Sequence, residues 1–220
     1  MLYDGDIREP LFDFLEERYG KVRIIEEKQI GKSRADVVMV IPEAVVGVEI
    51  KSDADSYSRL KRQVRDYNKF FDYNYVVVGS SHAMHVEEHV PKWWGIISVE
   101  LIEGFLDFYI IRQPEENPKV KWKMKLSLLW RPELVHIQEQ NQMPKYKQKS
   151  KDFVIDKILL KVPEDELKKQ ISDELFERDY NQIAEIIREY KSKCRMGGYS
   201  YDDSGKRKRD RQRNRKRNRQ

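Results

Sequence analysis

Asp36, Glu49 and Lys51 are charged residues set inside apolar runs. Asp36 heads Asp36-Val37-Val38-Met39-Val40-Ile41, and the last three positions of Val45-Val46-Gly47-Val48-Glu49-Ile50-Lys51 hold the other two. Burying two carboxylates and an amine within strands is costly unless they pair or hold a metal. A divalent cation between the acids, with the lysine beside it, would offset that cost. A plain Glu49–Lys51 ion pair is the structural alternative.

The elements that must position these groups follow from periodicity. Side chains alternate faces along a strand, so Glu49, Lys51 and Gly47 share one face. Val46, Val48 and Ile50 point the other way, into a core. In the preceding strand Asp36, Val38 and Val40 share a face. The short turn Pro42-Glu43-Ala44 predicts an antiparallel hairpin, which brings the start of the first strand beside the end of the second. Asp36 is then a neighbour of Glu49.

Asp36, twelve intervening residues and then Glu49-Ile50-Lys51 resemble the PD-(D/E)XK nuclease superfamily. Ser33-Arg34-Ala35-Asp36-Val37, Val48-Glu49-Ile50-Lys51-Ser52, residues 67–71, Tyr75-Val76-Val77-Val78 and Pro91-Lys92-Trp93-Trp94-Gly95-Ile96-Ile97 are similar to its MmcB-like small-nuclease branch. The likeness covers roughly the first half of the chain by pattern, with Ala35 where the family often has proline. It implies an α/β, restriction-endonuclease-like αβββαβ core: a central mixed sheet flanked by helices. It also implies hydrolysis of DNA phosphodiesters with Mg²⁺, or Mn²⁺ in its place. Asp36, Glu49 and the Ile50 carbonyl would hold the cation, which takes carboxylates and phosphate and lowers the pKa of bound water. Lys51 would orient or deprotonate that water and stabilise the anionic transition state. The family often adds an acid from the first helix. Glu9 fits best by distance from Asp36, with Glu16 and Glu17 as the other candidates. The likeness also points to Gln63 as a polar residue reaching the site from the following helix.

The wider chain reads as follows. Residues 6–19 carry Ile7, Leu11, Phe14 and Leu15 at helical spacing, with Pro10 either starting or kinking the helix. Residues 22–30 read as a strand. Residues 56–72 form a helix whose apolar stripe is Leu60, Val64, Tyr67 and Phe71. Its Arg59, Arg62 and Arg65 could hold phosphates or only solvate a face. Tyr67 is expected in the core with its hydroxyl toward a polar partner. Strands follow at 75–79, 94–101 and 105–112, with a short helix at 84–90. His82, His85 and His89 lack the spacing of a zinc site and read as an exposed face. Trp93 and Trp94 read as closing a strand end. Beyond a boundary near 113–118, residues 120–130 read as a returning strand. Helices are expected from Pro132 to Gln140, over 154–160 and over 164–190, with a polar linker at 141–151. This divides the chain into a nuclease-like core (1–113), a connecting segment on it (114–151), a C-terminal helical appendage (152–193) and a basic tail (194–220) expected to be disordered.

The net charge of +5 is unevenly spread. Residues 206–220 hold ten Lys or Arg and one Asp, a balance of +9, which leaves −4 for the rest. Lys206, Arg207, Lys208 and Arg209 open a stretch with no apolar residue, which suits a salt-dependent, phosphate-tracking arm. Cys194 is the only cysteine, so no intrachain disulfide can form, consistent with a reducing compartment. No run is long enough to span a membrane, and no secretory leader opens the sequence. The expectation is a cytoplasmic, Mg²⁺-dependent deoxyribonuclease in repair or phage-related DNA processing. RNA and structured DNA remain open as substrates. A non-catalytic nucleic-acid-binding module on the same fold is the alternative.

Overall fold

The computed structural model describes residues 2–53 and 55–178, together with 188, 200, 201, 207 and 208. Helix α1 (Asp4–Tyr19) leads into three strands, β1 (Arg23–Ile30), β2 (Ser33–Ile41) and β3 (Ala44–Lys51). A 3₁₀ turn (Tyr57–Arg59) opens onto α2 (Leu60–Phe70), followed by β4 (Tyr73–Gly79). The short α3 (Ser80–Ala83) and a 3₁₀ turn (Val86–Glu88) precede β5 (Gly95–Ile102) and β6 (Phe105–Arg112). The six strands form one sheet in sequence order. The β1–β2–β3 pairs and the β5–β6 pair are antiparallel, whereas β3, β4 and β5 run parallel. A parallel pair needs a crossover, and α2 supplies it between β3 and β4. The expected α/β architecture, a mixed sheet flanked by helices, is present.

Every residue of β3 is buried, because both faces of the sheet are covered. Val46, Val48 and Ile50 face one core with Ile7, Leu11 and Leu15 of α1. Their spacing of four residues keeps all three α1 side chains on one stripe, and the helix continues through Pro10. Val38, Val40 and Val45 face the other core with Leu60, Val64 and Tyr67 of α2 and Phe71 just after it. Gly47 is what lets α2 approach. A Cβ there would lie 2.3 Å from the Phe71 ring and 2.6 Å from the Tyr67 ring.

Residues 120–130 do not return to the sheet as a strand. They form α4 (Trp122–Leu126) and a following turn. Trp122, Met124 and Leu126 mimic a period of two, but Trp122, Leu126 and Leu129 also recur at helical spacing, and that pattern prevails. Lys125 is fully buried and donates to both carboxylate oxygens of Asp72 at 2.7 Å. This ion pair fixes α4 to the end of the α2 crossover. Helices α5 (Arg131–Gln140), α6 (Lys151–Lys161) and α7 (Glu164–Phe176) follow. Residues 152–176 are helical, as expected of the C-terminal appendage, and share the α2-side core. Ile155, Ile158, Leu167, Ile171 and Leu175 join the cluster that holds Val38 and Val40. An amphipathic helix buries its apolar stripe on whatever apolar face is uncovered: for α7 that is β2 and β3, for α6 it is α4 and α5.

The chain divides into two compact units after Glu177. In the second, Ser200–Tyr201 pairs antiparallel with Arg207–Lys208. Lys206 and Arg209, and the rest of the expected tail, lie outside the described residues. No described helix is long and apolar enough to cross a membrane.

Candidate functional site

The β2–β3 ladder closes in the register Val37↔Val48 and is not continued to the next pair, Asp36 and Glu49. Asp36 Oδ2 accepts the N–H of Ile50 at 2.9 Å, a side chain standing in for the missing strand partner. The Asp36 N–H donates to the Tyr67 hydroxyl at 3.1 Å, and that hydroxyl donates to the Val48 carbonyl at 3.3 Å. Tyr67 from α2 thus bridges the two strands where they part.

Glu49 points from β3 toward α2, and its side chain has no exposed surface. Oε1 accepts from Lys51 Nζ at 2.5 Å and from Gln63 Nε2. Among the described residues neither Oε2 nor Gln63 Oε1 has a hydrogen-bond partner, and both are buried. The Lys51 side chain is 5 % exposed and the Asp36 side chain 18 %. Asp36 is therefore the member of the trio that meets solvent. Burial, then the Glu49 charge, raises the Asp36 carboxyl to about 7, against the pull of the Ile50 N–H and Lys51. Burial likewise raises Glu49, opposed by the charge and hydrogen bond of Lys51 and by the nearby Tyr67 hydroxyl, whose contact with Glu49 falls outside normal hydrogen-bond geometry. Burial, reinforced by both carboxylates, pushes the Tyr67 phenol far up, so it stays a neutral donor.

The structure brings Asp36, Glu49, Ile50, Lys51 and Gln63 together. It does not bring Glu9. Helix α1 packs on the opposite face of the sheet, and Glu9 is exposed there, as are Glu16 and Glu17. Sequence distance from Asp36 carried no information about which face of the sheet α1 would cover. The residue of α1 that reaches Asp36 is Arg8. Its Nη1 donates to the Asp36 carbonyl at 3.3 Å, and its Nη2 lies 4.0 Å from Oδ1. Asp4, Glu26 and Glu27 pair with the same guanidinium. Arg8 had only its place beside Glu9 in the first helix as a signal. Asp55 was also missed: it caps Ser52 through N–H and Oγ bonds, and its charge adds to the upward push on Glu49.

Arg59 and Arg62 are exposed at the start of α2. Arg59 is four residues before Gln63 and so stands near the same flank. Trp94 is buried, with its indole N–H on Asn68 Oδ1 at 2.8 Å, a strand-closing role. His82 meets the Tyr57 ring edge-on and His89 packs against it at a tilt, and no group of three or more His, Cys, Asp or Glu is placed to hold a metal among the described residues. What the site offers is two acids, one backbone carbonyl, an amine and an amide.

Fold and site together define an α/β protein whose acid–acid–lysine cluster sits where two strands of a mixed sheet part. Residues 2–195 match the family model described as Bacteriophage P4 protein cII, and the chain belongs to that family. No curated protein matches it. In structure it is similar to Pyrococcus furiosus SfsA, solved in complex with Ca²⁺, at 14 % sequence identity and a TM-score of 0.32. That likeness covers 53 % of this chain and 63 % of the other, so the chain spans less than two thirds of that neighbour.

Proposed function

We propose that this protein is a metal-dependent phosphodiesterase of the PD-(D/E)XK type, akin to the MmcB-like nucleases, acting on DNA in the cytoplasm in phage-related DNA processing or repair. The observation that carries the reading is the buried Glu49 Oε2, which has no hydrogen-bond partner among the described residues and whose charge helps raise the nearby Asp36 carboxyl. A buried carboxylate oxygen without a donor calls for a cation, a proton or a water. The donor set of Asp36, Glu49 and the Ile50 carbonyl is all oxygen and fits Mg²⁺ or Mn²⁺. When bound, such an ion supplies an activated water and a counter-charge for the phosphate.

The chain's own groups would do the rest. Lys51 would turn its ammonium from Glu49 toward the attacking water or the developing phosphate charge. Gln63 would hold Glu49 Oε1 in place as Lys51 leaves it. Tyr67 would keep Asp36 and Val48 at a fixed separation. Incubation of supercoiled plasmid with Mg²⁺ or Mn²⁺ tests the proposal. Wild type is expected to nick or linearise it, and Lys51→Ala and Glu49→Gln are expected to lose at least ~10²-fold in rate. Equal behaviour of all three proteins would overturn it. One observation favours the second reading, a DNA-binding module without turnover: Lys51 is already closed onto Glu49 in a buried pair. Undiminished DNA binding with no cleavage under either metal would select that reading.

A further inference from the structure

The outer face of α2 is basic along its length. Arg59, Lys61, Arg62 and Arg65 are exposed, and Lys69 is partly so. On the flank away from Gln63, Lys61, Arg65 and Lys69 meet Lys119 and Lys121 around a groove of about 570 Å³. Among the described residues, no acidic side chain lines it. Lys69 pairs with Asp66, which is buried beneath, at 3.1 Å. The side chains of Lys61, Arg65, Lys119 and Lys121 make no ion pair among the described residues. By contrast, Lys123 pairs with Asp156, Lys145 with Glu139 and Lys168 with Glu116.

The fold holds these like charges together through neutral bonds. Asn117 Nδ2 donates to the carbonyls of Asn68 and Phe71 at 2.9 and 2.7 Å. The Lys121 N–H donates to the Lys69 carbonyl at 3.0 Å. Lys119 Nζ stands 5.0 Å above the ring of Trp93. The segment carrying Lys119 and Lys121 is thereby fastened to the helix that carries Lys61, Arg65 and Lys69, although their charges repel. An anion lying in the groove would reverse the sign of that interaction. From Lys61 to Lys69 the helix rises ~12 Å, about the axial length of three to four base pairs at ~3.4 Å each.

We propose that this groove is a docking surface for the phosphate backbone of duplex DNA, distinct from the acid–lysine cluster and on the opposite flank of α2. The proposal rests on the DNA reading given above, and names where the substrate is held. Titrating labelled duplex DNA with the full chain in EDTA measures binding without turnover. Lys61→Glu/Arg65→Glu is expected to weaken binding at least ~10-fold at ~0.1 M salt and to reduce the slope of log K against log salt by about 2. Lys147→Glu/Lys149→Glu carries the same charge change on an exposed segment elsewhere and is expected to keep both quantities. Lys119→Gln/Lys121→Gln removes charge without reversing it and is expected to weaken binding in the same direction, should a thermal melt show the first variant misfolded. Groove variants that bind as wild type, or a control that loses as much as they do, would overturn the proposal. Lys51→Ala keeps the groove intact. If it and wild type are equally inactive on plasmid, the hydrolase reading fails, while the titration in EDTA still decides the groove.

Discussion

Near neutral pH the folded chain retains a proton on Asp36 that the unfolded chain has released, because burial and Glu49 lift that carboxyl from 3.8 to about 7. A carboxyl whose folded value lies above its unfolded value lends full stability below about 3.8 and loses it as pH rises through about 7. Removing the charge should therefore help folding in alkaline solution. Asp36→Asn, which can still accept the Ile50 N–H, is expected to stabilise the protein by ~1–3 kcal/mol at pH 8 in chelator. Urea titrations at pH 5 and pH 8 check this, with a smaller gain at pH 5. Added Mg²⁺ should narrow the gap by stabilising wild type alone. A variant that gains stability as it loses function is what a site under electrostatic strain predicts. Asp36, Glu49 and Lys51 were readable from residue type and a period of two, whereas Gln63 came only from the family resemblance. Arg8 was not readable, because its reach to Asp36 depends on how α1 crosses the sheet.

At the scale of elements, α2 rests on one glycine. Gly47→Ala would drive a methyl into the Tyr67 and Phe71 rings, which overpacks the core and is expected to cost ~1–3 kcal/mol. The midpoint of urea unfolding measures it, and a midpoint unchanged from wild type would refute the close-packing account. Tyr67 also spans Asp36 and Val48, so the variant should lose metal affinity as well as stability. The strands were legible in the sequence because each is a short apolar run ended by a turn. Residues 120–130 were not, since alternation and helical spacing coexist there and only burial of Lys125 against Asp72 separates them. The basic groove escaped for a related reason. Residues 117–121 lie some fifty positions beyond α2, and no local pattern announces that Asn117 ties the two together.

For the whole molecule, the net positive charge is concentrated at the C-terminal end. Removing residues 206–220 takes away +9 and leaves a chain of net −4. Loss of the tail is expected to weaken DNA binding and flatten its salt dependence, with the thermal midpoint and hydrolysis of a small phosphodiester unaltered. Fluorescence titration over a series of salt concentrations, beside a melt, gives both readings, and a slope that does not change would assign the tail no role in binding. On the docking proposal above, what remains after truncation falls to α2. Its eleven residues hold an amide against the carboxylate on one side and a row of cations on the other. A shift of that rod by a fraction of a turn displaces both at once. Capture and cutting are therefore expected to rise and fall together in any variant that unseats it, and to separate only when a side chain on a single flank is changed.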